Sequence, residues 1–185
     1  MLEIRDLRLK DEDLIFDGDL RLIGDTKIEN GSLIVNGNLV LVQTEGCSPS
    51  LEIFGGNLTA DSLLVENKMG HIYQDQLICL FFYVDGDIHI TNGSFVIGEC
   101  AIAHAGNIFI ENGDLGCGGI SKSLSLYVSG RIFSFGSINV LFDIFCYTAN
   151  IYGTTYCGGD LYAKNHFDSH GNSIYVKGSF KTNDL

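Results

Sequence analysis

Asp13-Leu14-Ile15-Phe16-Asp17-Gly18-Asp19-Leu20-Arg21-Leu22 is answered nineteen residues later by Ser32-Leu33-Ile34-Val35-Asn36-Gly37-Asn38-Leu39-Val40-Leu41. Leu14, Phe16, Leu20 and Leu22 alternate with Ile15, Asp17, Asp19 and Arg21, and Leu33, Val35, Leu39 and Leu41 repeat the first set. A period of two over so short a run means β-strand with one face buried. The centre of each stretch, Gly followed by Asp or Asn and an apolar residue, recurs at Gly18, Gly37, Gly56, Gly86, Gly106, Gly130, Gly159 and Gly178, with Arg131 and Ser179 as the variants. The steps from Gly18 to Gly37, from Gly37 to Gly56 and from Gly159 to Gly178 are equal, and that from Gly86 to Gly106 is one position longer. The steps from Gly56 to Gly86, from Gly106 to Gly130 and from Gly130 to Gly159 are wider. A unit near nineteen residues with occasional added segments marks a solenoid.

A second phrase lies between the copies. Ile28-Glu29-Asn30-Gly31-Ser32-Leu33 returns as Ile90-Thr91-Asn92-Gly93-Ser94-Phe95 and as Ile110-Glu111-Asn112-Gly113-Asp114-Leu115. Asn-Gly takes positive φ readily and turns a corner within two residues. The repeat therefore predicts an all-β, single-domain parallel β-helix over residues 1–185, with about eight coils stacked at ~4.8 Å. An antiparallel β-sandwich joined by Asn-Gly hairpins is the alternative. A stack needs a near-constant period and a sandwich does not, so the repeat favours the β-helix. Leu20, Leu39 and Leu58 are expected one above another in successive coils. Leu33, Val35, Leu39, Ile88, Ile90, Ile108, Ile110 and Val176 are expected in the core. Residues 1–13 are expected to cap the first coil, and the added segments to lie within 59–83, 111–127 and 135–157.

With 45% apolar residues, 185 positions suffice for one continuous core. No apolar stretch reaches the length of about 18 residues that a membrane span needs, so none is expected. Met1-Leu2-Glu3-Ile4-Arg5-Asp6-Leu7-Arg8 lacks the apolar region of a secretory signal, and the expected location is the cytoplasm. The net charge of −12 argues against nucleic acid or anionic membrane as partner, since affinity for phosphates comes from Lys and Arg. Residues 69 to 121 hold no Lys or Arg but include Asp75, Asp85, Asp87, Glu99, Glu111 and Asp114, a stretch suited to solubility or to a basic partner. The six cysteines show neither a C-x-x-C pair nor zinc-ligand spacing, and are expected as reduced thiols, several in the core.

Candidate chemistry is sparse, and no catalytic residue and no cofactor is expected. His166 and His170, with Asp168 between them, have an H-x3-H spacing that would bind metal on a helix. Here the segment reads as a polar loop, so no metal site is assigned. Asp85 and Asp87 flank Gly86 as the carboxylate pair of a glycosidase would flank its substrate bond. Asp17 and Asp19 repeat the arrangement, which makes it a feature of the turn. His104 is the one residue a β-helix acyltransferase would use.

Two segments are apolar at both alternating positions, Ile78 to Val84 and Val140 to Tyr147. With Leu80, Phe82 and Val84 inward, Phe81 and Tyr83 point out. Phe81, Tyr83, Phe145 and Tyr147 are thus the candidate interface anchors. Val35-Asn36-Gly37-Asn38-Leu39-Val40-Leu41, Val84-Asp85-Gly86-Asp87-Ile88 and Val176-Lys177-Gly178-Ser179-Phe180 resemble the repeat of the bactofilin-like polymer-forming proteins of bacteria. That resemblance implies a right-handed parallel β-helix that assembles end to end into cytoplasmic filaments without nucleotide. The expected function is a non-enzymatic scaffold that self-associates or binds a protein. An acidic inhibitor or immunity-type protein (mimicking DNA or capping a toxin) and a carbohydrate-active or acyl-transfer enzyme are the alternatives.

Overall fold

Strands with one apolar edge bury it only by facing one another across a shared interior. In the computed structural model, which describes residues 1–44, 49–67, 81–97 and 101–183, they do so as a β-solenoid of about eight turns. Every strand pairing among the described residues is parallel, which excludes the sandwich. Each coil has three faces. The first begins with strand Leu14–Asp17, the second with Leu2–Arg5 and the third with Arg8–Lys10. Long strands such as Leu33–Gln43 and Ile144–Ile151 bend from the first face into the second and join those two faces into one sheet.

On the first face Leu14, Leu33, Leu58, Ile88, Ile108, Leu126, Ile144, Leu161 and Phe180 form one ladder. Measured along it, the longest coils run from Leu33 to Leu58 and from Leu58 to Ile88. The shortest and most uniform run from Ile108 through Leu126 and Ile144 to Leu161. On the second face Leu2, Leu20, Leu39, Leu63, Phe95, Leu115, Ile132, Ala149 and Phe167 align. Between the two end coils these ladders are fully buried, and each such side chain adds about 1.5–3 kcal/mol before entropy is counted.

Leu20 does stack on Leu39, but Leu58 does not follow. Leu39 meets Leu63 on the second face, while Leu58 sits over Leu33 on the first. The cause is that the glycine phrase marks two different corners. Gly18, Gly37, Gly93, Gly113 and Gly130 turn the chain from the first face to the second. Gly31, Gly56, Gly86, Gly106, Gly159 and Gly178 turn it from the third face back to the first. The two phrases of the repeat are therefore one motif used twice per coil. Residues 111–127 and 135–157 are consequently not insertions, because they build the short regular coils between Ile108 and Leu161. The extra length within 59–83 is real, and falls between strands Leu58–Asn67 and Phe81–Val84. A second long coil, from Leu33 to Leu58, has no counterpart in the expected insertions. Residues 2–10 are not a separate cap but strands that continue the second and third faces. Of the expected core, only Val176 is half-exposed, because it lies in the last complete coil.

The corners explain the glycines. At Gly113 a side-chain Cβ would collide with the carbonyl of Gly93 directly beneath it, and at Gly56 with the carbonyl of Gly31. The residue after the glycine latches the coils together. Asp87 Oδ1 accepts the Asn107 backbone N–H at 2.7 Å, Asp114 Oδ1 that of Arg131 at 2.7 Å, and Asp160 Oδ1 that of Ser179 at 2.7 Å. Such bonds pair backbone groups at a bend, where they would otherwise lack partners.

Two glycines three positions apart test this account. Gly113→Ala must displace backbone and should cost about 1–3 kcal/mol or more. Gly116→Ala places its Cβ 3.4 Å from the Val96 side chain, an ordinary contact, and should leave stability within about 0.5 kcal/mol. Urea unfolding of both variants measures the difference, and equal losses would refute the stacked corner.

Candidate interaction surface

Residues that alternate outward on stacked strands fall into columns, each side chain one coil above the last. On the first face one such column carries His89, Phe109, Tyr127, Phe145 and Tyr162. Their rings stack: His89 on Phe109 at 4.8 Å, Phe109 on Tyr127 at 5.2 Å and 4°, and Tyr127 on Phe145 at 5.3 Å and 9°. Tyr162 tilts away from Phe145 by 58° at 6.3 Å. Beside this column runs a second one containing Glu111, Ser129, Tyr147 and Lys164. A shallow groove of about 530 Å³ lies between the two.

Of the predicted anchors, Phe145 and Tyr147 are exposed, on strand Ile144–Ile151, and line this groove. Tyr83 is on the third face and half-buried, and so belongs to a different surface. Its ring stacks between Phe54 at 4.9 Å and His104 at 5.1 Å, and its hydroxyl donates to Asp85 Oδ1 at 2.7 Å. Phe81 pairs through its backbone with Ser50 in strand Phe81–Val84, and its side chain lies outside the described residues. Phe82 and Val84 point inward as expected, while Leu80 lies outside the described residues. The ring column has a sequence signal in the near-even placement of aromatics at 109, 127, 145 and 162, which only the true coil register makes readable.

The other candidates are placed as follows. Asp168 Oδ1 accepts the His170 backbone N–H at 2.7 Å, its other oxygen is 3.5 Å from His170 Nδ1, and the His170 ring stacks on Tyr152 at 3.9 Å. His166 lies in strand Leu161–Asp168, paired with Thr148. Among the described residues no group of three or more His, Cys, Asp or Glu is arranged to hold a metal. Asp87 and Asp114 of the cation-free stretch are taken up by coil latches, while Asp75 and Glu99 lie outside the described residues. Asp85 accepts from Tyr83 and from the Gly55 backbone, so the Asp85/Asp87 pair is bound into the corner. His71 and Cys47, Cys79 and Cys100 also lie outside the described residues. Cys117, Cys146 and Cys157 are free and buried, and burial pushes the Cys146 thiol up to about 12. Among the described residues no helix is long and apolar enough to cross a membrane.

No family model matches the chain, and no curated protein or solved structure matches it either.

At the start of the second face, Arg131 donates to Asp114 Oδ2 from Nη2 at 2.8 Å and from Nε at 3.2 Å. Burial raises the Asp114 pKa, but hydrogen bonding and attraction from Arg131 outweigh it and hold the carboxyl below its ordinary 3.8. A depressed folded value means the pair stabilises above the ordinary range and stops doing so as pH falls through the folded value. Arg131→Gln should thus lower the urea midpoint at about pH 7 and make progressively less difference toward about pH 3. A pH-independent difference between the two proteins would contradict this coupling.

Proposed function

We propose that this chain is a non-enzymatic scaffold that works by protein contact and associates with itself. One observation carries the reading. Ten of the thirteen most exposed large apolar side chains among the described residues fall between Phe133 and Phe180. They occupy all three faces of the upper coils: Phe145 and Tyr147 on the first, Phe133 and Tyr152 on the second, Tyr156 and Tyr175 on the third. Aromatics offer large contact area with few rotamers to lose, and such a concentration marks an association surface. The resemblance of the repeat to the bactofilin-like proteins, which implies self-assembly in the cytoplasm, points the same way.

Sedimentation velocity across a wide concentration range is the test. The parent should show concentration-dependent association. Phe145→Ser with Tyr147→Ser, or Tyr152→Ser with Tyr156→Ser and Tyr175→Ser, should reduce it while shifting the melting temperature by no more than a few degrees. A parent that stays monomeric throughout would end the reading.

A further inference from the structure

The outward columns of the first face carry a pattern that is complementary to its own reverse. Over four successive coils the outward residues that follow the inward Ile110, Val128, Cys146 and Ala163 are Glu111, Ser129, Tyr147 and Lys164, all lining the groove; the coil is one residue shorter at Tyr147, whose N–H donates to the Gly130 carbonyl. Read backwards, Lys164 stands opposite Glu111 and Tyr147 opposite Ser129. Opposite charges meet at both ends, and a large side chain meets a small one at both middle positions. All four are exposed. In the same reversal the ring column sets Phe109 against Tyr162 and Tyr127 against Phe145. We propose that the first face docks a second copy of this chain, antiparallel, about a twofold axis that runs along the strand direction between the Ser129 and Tyr147 levels. This rests on the reading of the chain as a self-associating scaffold and names the partner and its orientation.

The geometry separates this arrangement from its nearest rival. A twofold axis along the solenoid keeps both copies pointing the same way and sets each column against the other at the same level. Glu111 would then face Phe109 of the second copy, and Lys164 would face Tyr162, with no charge partner for either. Only the reversed arrangement satisfies both charges. An isologous contact of this kind closes on itself, because the same patch serves both copies.

The interface is small. Four coils at ~4.8 Å by four residues at ~3.3 Å give roughly 250 Å² per copy, well under the ~800 Å² of a stable pairwise interface. The dimer is accordingly weak, and its electrostatic part sensitive to salt. Within one copy Glu111 and Lys164 are three coils apart, ~14 Å, so screening leaves little interaction inside the chain at ordinary ionic strength.

That separation allows a test that a structural role would not pass. Glu111→Lys alone and Lys164→Glu alone each place like charges opposite one another twice per dimer. Each should lower the association constant about tenfold at low salt, with melting unchanged. Mixed in equal amounts, the two variants restore both opposite-charge pairs in the heterodimer, so association should recover to within about twofold of the parent. Carrying both substitutions in one chain should recover it equally. Ser129→Tyr, which sets Tyr against Tyr147, should weaken the dimer without a charge change. Sedimentation equilibrium measures all of these. Single reversals without effect, or a mixture no tighter than its components, overturn the antiparallel contact. If Phe145→Ser with Tyr147→Ser still abolishes association in that case, the scaffold reading survives without it. A monomeric parent removes both.

Discussion

At the glycine corners the backbone of one coil rests on the backbone of the coil below, with no room between for a side chain. Gly113 over Gly93 and Gly56 over Gly31 are among the tightest cases, and Gly86, Gly106 and Gly178 repeat the arrangement. The next residue supplies a carboxylate, amide or hydroxyl oxygen that takes the backbone N–H of its counterpart one coil up. Contact and latch together fix the vertical register. With register fixed at the corners, every inward position becomes a ladder of Leu, Ile, Val or Phe, and every outward position becomes a column. Part of the acidic composition has the same origin, since Asp13, Asp19, Asp87, Asp114, Asp143 and Asp160 all serve as latches.

This dependence also explains how far the sequence can be read. The alternation in Leu14 to Leu22 and its echo at Leu33 to Leu41 reveal strands, parallel stacking and most of the core, because burial on one face imposes period two whatever the register. The register itself is not legible above Leu39. Gly37 and Gly56 repeat the step from Gly18 to Gly37, yet they turn different corners, and identical chemistry is needed at both. Where the chain turns without glycine, as at Leu124, Phe142 and Tyr147, the repeat falls silent although the coil continues. The wide steps from Gly106 to Gly130 and from Gly130 to Gly159 then read as insertions. They are sums of corners skipped, and the coils there are the shortest among the described residues.

The candidate site is legible only in part for a related reason. Phe145 and Tyr147 stand out within one apolar run, but Phe109, Tyr127 and Tyr162 sit singly among ordinary alternating residues. Nothing local distinguishes them. They become a column only when the short coils from Ile108 to Leu161 are laid over one another. Tyr83 is picked out by the same local rule as Phe145, and belongs instead to a half-buried stack with Phe54 and His104.

An exposed aromatic column does not by itself require a partner, because stacked rings stabilise each other by about 0.5–1.5 kcal/mol per pair. Phe109, Tyr127 and Phe145 gain in this way, as do Tyr156 with Tyr175 at 4.6 Å and Tyr152 with His170. Leu141, Phe142 and Tyr147 are different. Each is about half exposed, and among the described residues neither Phe142 nor Tyr147 stacks on another ring. Phe142 stands at a corner position that glycine fills in most other coils, and Tyr147 stands at the corner above Gly130, to whose carbonyl its N–H donates. The Lys164 ammonium lies over the Tyr147 ring at 5.9 Å, a modest attraction at an exposed site. Intramolecular packing therefore accounts for the ring columns but not for these three side chains. On the scaffold reading proposed above, a second copy of the chain covers their apolar surface, and Tyr147 lies within the face where the charge pattern matches its own reverse.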